Sequence, residues 1–253
     1  MGTGAAFPVL AEALVGQQLR VVASFNDNAG NAESRTSAPT DVAGDLIVNL
    51  GVASPVTFNG TAGQDNMSGN PLVSVNETLN GLAGDDTLNG NGGVDTLNGG
   101  DGNDTMNGGA GNDILNGGNG NDTMLGGTGV DTLTGGAGVD TMTGNVGNDV
   151  FVFLSATDSG VGAARDIITD FLSAADSINL SGIDANSNTV ANDAFTATPG
   201  GGTGAFTGVA GQIRAGIVAG NWIVEADLNG DSVADFQIQL NGTGALLLTD
   251  FVL

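Results

Sequence analysis

The sequence contains no cysteine, histidine, lysine or tyrosine, and its basic side chains are four arginines. Without histidine or cysteine, the chain cannot form a His- or thiolate-ligated zinc site, a Ser-His-Asp triad or a cysteine nucleophile. Because it cannot form disulfide bonds either, any rigidity outside a cell must have another source. We therefore expect a protein that is not an enzyme and that is stabilised by something other than disulfides.

Positive charge is scarce, whereas 28 acidic residues give a formal net charge of −24. Nucleic acids and anionic membranes bind positive surfaces, so we expect neither as a partner. No apolar run approaches the ~18 residues needed to cross a bilayer, and the start lacks the pattern of a cleaved signal peptide. The expected partners are cations. Disorder is the alternative for so acidic a chain, but a hydrophobic content of 40% can supply a core.

A nine-residue repeat of the form Gly-Gly-x-Gly-x-Asp-x-apolar-x runs through residues 81–152 as eight units. Its glycines fit a turn that needs positive φ or close backbone approach, and the x-apolar-x triplet fits a short strand of three residues. Two units would form one coil of a parallel β-roll, with the apolar residues of two opposed sheets meeting inside. These residues are Leu88, Leu97, Met106, Leu115, Met124, Leu133, Met142 and Phe151.

The sixth position of the repeat is always aspartate, and residues 81–152 contain ten aspartates and no basic residue. Aspartates stacked about 4.8 Å apart repel each other by ~1 kcal/mol even in bulk water. A bound hard cation would remove this repulsion. Calcium takes roughly six to eight carboxylate and carbonyl oxygens, whereas magnesium demands near-octahedral geometry and retains its waters. Nonapeptide repeats of this form are a known calcium-binding pattern.

We therefore predict calcium ligands from the sixth-position carboxylates and from glycine carbonyls at the second and fourth positions. The predicted carboxylate ligands are Asp65, Asp86, Asp95, Asp104, Asp113, Asp122, Asp131, Asp140 and Asp149. The predicted carbonyl ligands are Gly100, Gly102, Gly109, Gly111, Gly118, Gly120, Gly127, Gly129, Gly136 and Gly138. One ion between each unit and the next but one gives about six ions, or about seven if Glu77 serves opposite Asp95. Simple Asx turns in a glycine-rich linker are the alternative.

The repeat continues upstream in a weaker form. The stretch GTAGQDNMS at residues 60–68 keeps Asp65 and Met67, and LVSVNETLN at residues 72–80 places Glu77 and Leu79 at the aspartate and apolar positions. Terminal repeats of solenoids are commonly atypical. These residues are therefore expected to cap the roll.

Residues 60–152 resemble the repeat block of the RTX (repeat-in-toxin) proteins. The resemblance implies calcium-driven folding of a β-roll, export by type I secretion machinery, and a secreted or cell-surface location in a Gram-negative bacterium. Residues 153–253 resemble the C-terminal region of the serralysin metalloproteases, through VFVFLSATDSG, RDIITDF, DSINLSGID and TDFVL. In that family, a terminal pattern such as Asp250 to Leu253 belongs to an uncleaved secretion signal, although an ordinary edge strand is also compatible. The histidine-based zinc motif of the protease has no counterpart here.

Residues 9–42 resemble the final strands of bacterial immunoglobulin-like repeats, which suggests that the chain is part of a larger polypeptide. We expect three regions in an all-β protein. Residues 1–50 would be an immunoglobulin-like remnant or linker, residues 51–152 a parallel β-roll, and residues 153–253 a β-rich C-terminal cap region.

The C-terminal region contains alternating stretches, GQIRAGIV, NWIVEAD, DFQIQL and ALLLTDF, that read as half-buried strands, with a hairpin signal at Asn229-Gly230. The loop DLNGDSVAD has the ligand spacing of an EF-hand-type calcium loop, although a solvated hairpin fits equally well. Its candidate ligands are Asp227, Asn229, Asp231 and Asp235. Asp166 and Asp170 in RDIITDF are a further candidate pair.

These observations favour a calcium-binding module that folds outside the cell and carries a C-terminal signal for type I secretion. The alternative is an extracellular adhesion module that binds polysaccharide or ice through outward threonines and asparagines, although Ile114 and Leu125 interrupt that array. Catalysis by a carboxylate has a single hint, Glu225 near Trp222, and an acid beside a core tryptophan is more often structural.

Overall fold

The computed structural model describes residues 25–26, 32–33, 45–48, 56–69, 74–189, 193–197, 205–242 and 244–253. Within these residues the regular elements are strands and two three-residue 3-10 helices, which confirms the all-β prediction. The immunoglobulin-like interpretation of residues 9–42 lies almost entirely outside the described residues. Those described there form a short antiparallel pair, β1 (Phe25–Asn26) and β2 (Ala32–Glu33). None of the helices in the described part has the length and apolar character needed to cross a membrane.

The strands follow the nine-residue period through the repeats and become irregular after them. Up to residue 152 they are β3 (Asp45–Val48), β4 (Val56–Asn59), β5 (Asp65–Ser68), β6 (Glu77–Ala83), β7 (Thr87–Asn89), β8 (Thr96–Asp101), β9 (Thr105–Ala110), β10 (Ile114–Asn119), β11 (Thr123–Thr128), β12 (Thr132–Ala137), β13 (Thr141–Val146) and β14 (Val150–Val152). Beyond it are β15 (Asp166–Ile168), β16 (Ser177–Asn179), β17 (Thr196–Ala197), β18 (Gln212–Val218), β19 (Asn221–Asp227), β20 (Phe236–Leu240) and β21 (Phe251–Val252), with 3-10 helices at Gly162–Ala164 and Leu248–Asp250.

Consecutive repeat strands alternate between two opposed sheets. One sheet has the order β21-β16-β14-β12-β10-β8-β6-β4, and the other has the order β17-β18-β19-β20-β15-β13-β11-β9-β7-β5-β3. Within the repeats the pairing is parallel and joins equivalent residues two units apart, as in Thr105 with Thr123. Two nine-residue units therefore form each coil, and the predicted parallel β-roll is confirmed.

Six of the eight repeat strands, β8 to β13, have six residues rather than the three expected from the sequence. For example, β9 has six residues and includes the first three positions of the next unit. Its inward-facing residues are Met106 and the first-position glycine Gly108. Because this glycine has no side chain, the strand can continue into the turn without filling the space beneath it.

The core is a single column of eighth-position side chains between the two sheets. Leu97, Met106, Leu115 and Met124 are completely buried. Full burial of a leucine or methionine contributes roughly 1.5–3 kcal/mol to folding, so the column is the main apolar contribution of the repeats. Aromatic side chains extend it into the C-terminal region, where Phe153 packs edge-on against Phe236 with ring centroids 5.5 Å apart.

The C-terminal region extends both sheets through strands that are distant in sequence. β15 pairs with β13 and β20, and β16 pairs with β14 and β21. β18, β19 and β20 form antiparallel hairpins, so the hairpin expected around Asn229-Gly230 is present. At the other end, β3 pairs in parallel with β5. The sheet thus includes a strand upstream of residue 51, where the sequence places the start of the roll.

Candidate metal centre

The turns of the roll depend on glycine conformation at the second and fourth positions. Gly109 and Gly111 have φ values of 102° and 142°. Asn91 and Asn145 occupy second positions and also have positive φ values, 68° and 67°. The turn therefore imposes a positive φ at this position even when the residue is not glycine. A Cβ atom on Gly111 would overlap the carbonyl oxygen of Gly93, the equivalent glycine two units earlier. Fourth-position carbonyls are therefore stacked at close range along the turns.

The sixth-position carboxylates form two continuous rows along the roll. In each step, one carboxylate oxygen accepts a hydrogen bond from the backbone N–H of the acid two units earlier. The Asp95 N–H donates to Asp113 Oδ1 at 2.8 Å, and the Asp113 N–H donates to Asp131 Oδ1 at 2.8 Å. The first row is Asp65, Asp86, Asp104, Asp122, Asp140 and Asp166. The second row is Glu77, Asp95, Asp113, Asp131, Asp149 and Asp176.

The second oxygen of most of these aspartates is buried and has no hydrogen-bond partner. This holds for Oδ2 of Asp86, Asp95, Asp104, Asp113, Asp122, Asp131, Asp140, Asp149 and Asp166. Leaving a buried charged oxygen without a partner is costly, and native proteins rarely do so without a compensating ion. Nine such atoms along two rows therefore indicate positions for a positively charged ligand.

Backbone carbonyls lie beside these unpaired oxygens. A Cβ atom on Gly108 would lie 2.6 Å from Asp113 Oδ2 and 2.7 Å from the carbonyl oxygen of Gly126. The first-position glycine thus leaves open a cradle that is lined by one carboxylate oxygen and one carbonyl oxygen. Within the described residues, no group of three or more acidic side chains is placed to hold a metal. A bound ion would therefore take carbonyl oxygens as well as carboxylates, which suits calcium.

Burial dominates the electrostatics of the rows. It raises the pKa of Asp113 from an ordinary 3.8 to about 6 and the pKa of Asp86 to about 7. A backbone N–H lowers each pKa, and the neighbouring acid in the row raises it again by a smaller effect. The repulsion between stacked aspartates expected from the sequence is therefore present, but loss of hydration is the larger cause.

The structure extends both rows beyond the repeats. Asp176, which the sequence analysis did not identify, accepts the N–H of Asp149 at 3.0 Å. Its sequence signal is the triplet Asp-Ser-Ile, which repeats the aspartate-x-apolar pattern, and Asp166 begins a similar triplet. Asp166 and Asp170 were expected to act together, but Asp170 instead accepts the backbone N–H groups of Gly144 and Asn145 at 3.0 and 2.8 Å.

The predicted EF-hand-type loop uses its oxygens for internal hydrogen bonds. Asp227 accepts the N–H groups of Gly230 and Ser232 at 2.7 and 2.9 Å. Asn229 and Asp231 each accept the N–H two residues later at 2.8 Å, and Asp235 accepts the Leu228 N–H at 2.8 Å. These contacts are those of the hairpin alternative, and calcium binding at this loop stays a prediction.

Glu225, the single hint of carboxylate catalysis, is engaged on the outer face of the C-terminal sheet. Its Oε2 pairs with Arg214 Nε at 2.7 Å, and its Oε1 accepts a hydrogen bond from Gln237 at 2.6 Å. The Arg214 guanidinium in turn lies 3.9 Å from the ring centre of Phe206. These contacts give Glu225 a role in packing across adjacent strands.

Comparison with known proteins identifies the repeats. The family described as RTX calcium-binding nonapeptide repeat matches in four overlapping copies, at residues 74–106, 90–124, 98–133 and 116–151. This match confirms the RTX prediction for the roll. No curated protein sequence matches the chain.

Two of the solved structures that match this chain have low overall similarity to it. The extracellular lipase LipA from Serratia marcescens is 16% identical with a TM-score of 0.29, over 85% of this chain and 41% of the lipase. The AlgE6R3 subunit of the Azotobacter vinelandii mannuronan C5-epimerase is 22% identical with a TM-score of 0.25, over 80% of each chain. This chain therefore spans less than half of the lipase.

Proposed function

Because residues 74–151 are RTX calcium-binding nonapeptide repeats, we propose that this chain is a calcium-folded module of a larger secreted protein. The module stays unfolded at the low calcium concentration of the cytosol and folds when calcium binds outside the cell. Binding energy then becomes folding energy, because the site does not exist in the unfolded chain. One ion between each stacked pair of repeat aspartates, from Asp86 to Asp149, gives about six ions, or about seven if Glu77 serves opposite Asp95.

The observation that carries this proposal is the set of nine buried carboxylate oxygens without a partner. Residues 81–152 contain no basic side chain that could neutralise them. The metal-free fold must therefore either protonate these groups or bear the cost of buried charge. Calcium removes that cost, whereas an apolar column alone leaves it in place.

The C-terminus supports an order in which export precedes folding. Asp250 is buried, and its carboxylate accepts the N–H groups of Ala174 and Leu247 at 3.0 and 2.7 Å. The following residues form β21, which pairs with β16. If residues 250–253 are the secretion signal, the type I machinery would read them before the roll forms, because folding buries the acid.

The proposal is tested by far-UV circular dichroism of the whole chain, titrated from excess chelator to about 10 mM calcium. We expect a cooperative transition from coil to β-structure with calcium and a much weaker response to magnesium. A complete β spectrum in chelator would contradict the proposal.

A matched pair of variants links the transition to the rows. Asp113→Asn removes a carboxylate with an unpaired oxygen and should raise the calcium midpoint about threefold or more. Asp101→Asn changes an exposed aspartate nearby, which accepts a hydrogen bond from Asn119 at 2.7 Å. It should leave the midpoint unchanged. Equal shifts in both variants would assign the effect to net charge.

Ligand binding by the outer face is a second candidate function, favoured by one alignment of side chains. Thr87, Thr105, Thr123 and Thr141 stack in register on one sheet without interruption. Ile114 lies on the other sheet, between Thr96 and Thr132. Thermal hysteresis or polysaccharide binding at constant calcium, lost in a Thr105→Val/Thr123→Val variant that still folds, would support this function.

A further inference from the structure

We infer that the first row has one more calcium site beyond the repeats, between Asp140 and Asp166, whereas the second row has none between Asp149 and Asp176. This inference rests on the proposed function, since it concerns the same ion and the same kind of ligand. It differs in assigning a ligand outside the family match, which ends at residue 151.

Asp166 has the environment of a repeat aspartate. It is fully buried in β15, its Oδ1 accepts the Asp140 N–H at 2.8 Å, and its Oδ2 has no partner. The Ile167 N–H donates to the Asp140 carbonyl at 2.8 Å, as the Thr105 N–H does to the Asp86 carbonyl within the repeats. Asp140 Oδ2 is also unpaired. Asp140 and Asp166 are therefore two successive acids of the row that each have an unpaired, buried oxygen. The same holds for each calcium site proposed between two repeat aspartates.

The chain reaches this arrangement without the repeat motif. Asp140 and Asp166 are 26 residues apart, compared with 18 for a regular step. Four residues before Asp166, Gly162 has a φ of 68°, which matches the positive φ of a second-position residue. Val161 and Ala164 stand where the repeat has its first and fourth glycines, so the sequence pattern of the family does not extend this far. Val161 is exposed, unlike the buried first-position glycines, so its side chain does not fill a cradle between the sheets.

Asp176 differs from Asp166 in its second oxygen. Its Oδ1 accepts the Asp149 N–H at 3.0 Å, and its Oδ2 accepts the Leu172 N–H at 2.7 Å. The Asp176 N–H donates back to the Leu172 carbonyl at 2.9 Å. Both oxygens of Asp176 are thus satisfied by the protein, and the second row ends without an ion.

A buried hydroxyl ends the first row one step later. The Asp166 N–H donates to Ser159 Oγ at 2.8 Å, in the place where a further carboxylate would accept it. Ser159 is fully buried, and its hydroxyl donates to the Gln237 carbonyl at 2.5 Å. A neutral group therefore closes the row above Asp166, and Asp166 is its last carboxylate.

The test counts calcium ions bound by the full chain, using native mass spectrometry and equilibrium dialysis. We expect Asp166→Asn to bind one ion fewer than the unaltered chain and Asp176→Asn to bind the same number. An unchanged count for Asp166→Asn, or a lower count for Asp176→Asn, would overturn the inference. If the unaltered chain binds no calcium, the proposed function itself fails.

A second measurement requires no variant. Crystals of the unaltered chain grown in calcium would be measured at a wavelength where calcium scatters anomalously. We expect an anomalous peak between Asp140 and Asp166 and none between Asp149 and Asp176. Peaks confined to the repeats would contradict the inference even if Asp166→Asn fails to fold.

Discussion

The repeat region and the C-terminal region use buried aspartates in different ways. In the repeats, each sixth-position aspartate accepts a backbone N–H of the neighbouring coil with one oxygen and leaves the other without a partner, as Asp122 does. In the C-terminal region, both oxygens of Asp227 and of Asp250 accept hydrogen bonds. The repeat carboxylates are therefore left open to a cation, whereas Asp227 and Asp250 are satisfied by the chain itself, and Asp166 alone beyond the repeats keeps the unpaired oxygen of a repeat aspartate among the residues that the structure describes.

The difference follows from the length of the connections. A nine-residue unit uses its N–H groups in the sheet and in the contacts between turns, so none is left for the second oxygen. The loop that follows Asp227 is longer, and it supplies the N–H groups of Gly230 and Ser232 to one carboxylate. Short, strictly repeated turns thus leave carboxylate oxygens unpaired that a longer loop satisfies with its own N–H groups.

The largest effect is expected from filling the oxygen-lined cradle. Gly108→Val places a side chain where Asp113 Oδ2 and the Gly126 carbonyl converge. Overpacking should destabilise the calcium-bound roll by about 3 kcal/mol and abolish binding at that level. Gly92→Ala is the control, since its Cβ would meet its nearest neighbours at 3.7 Å. Urea unfolding at saturating calcium would measure both variants, and similar losses of stability would refute the steric role of the first glycine.

A pair of Asp→Asn substitutions tests the contrast between the two regions directly. Asp250→Asn leaves a buried donor without an acceptor and should cost about 1–3 kcal/mol with or without calcium. Asp122→Asn keeps an acceptor for the Asp104 N–H but removes a buried charge. It should therefore destabilise the calcium-bound roll and stabilise the metal-free roll.

Urea unfolding in calcium, and in chelator with an osmolyte that promotes folding, would separate the two variants. If Asp122→Asn changes the free energy of unfolding in the same direction in both conditions, the unpaired oxygen of Asp122 is not a calcium ligand.

The pKa shifts of the rows predict opposite pH effects for the metal-free and calcium-bound chains. Burial raises the pKa of Asp122 and Asp131 to about 6 and that of Asp140 to about 7, from an ordinary 3.8. At a pH between the ordinary pKa and the raised pKa, the folded state binds more protons than the unfolded state. The metal-free fold therefore loses stability as the pH rises from about 4 to about 7. Calcium must displace those protons, so its affinity should increase over the same range.

Circular dichroism at pH 4.5 and 7.5, with chelator and with calcium, would check both trends. Metal-free chain that is more folded at pH 7.5 than at pH 4.5 would contradict the assignment of these carboxylates as buried and uncompensated.

The smallest effect is expected on the outer face of the repeats. Asn98 donates to Asn80 Oδ1 and accepts from Asn116 Nδ2, both at 2.7 Å, in a ladder of amides. Because these groups are partly hydrated, Asn98→Ala should cost about 1 kcal/mol or less and leave the calcium midpoint unchanged. Thermal unfolding at fixed calcium would measure it. A shift in the midpoint would show that the outer face is coupled to the metal rows.

Much of the site was predictable because a strict repeat converts sequence position into spatial position. The nine-residue phase alone places Asp104 above Asp86, buries Met106 between the sheets and assigns Gly109 to a turn of positive φ. The length of the strands was not predictable from this phase. The strand continues through Gly108 because the absence of a side chain, rather than any local propensity, permits it.

The sequence by itself thus determined the roll and its two units per coil, since both follow from the nine-residue period. Tertiary structure decided which oxygens stay unpaired and where the rows end. Asp166 and Asp176 begin similar triplets, yet Leu172 donates an N–H to one of them and Ser159 closes the row above the other. Those donors and acceptors arrive through an irregular chain path outside the repeats. Hydrogen-bond satisfaction depends on such contacts in space, which no local pattern encodes.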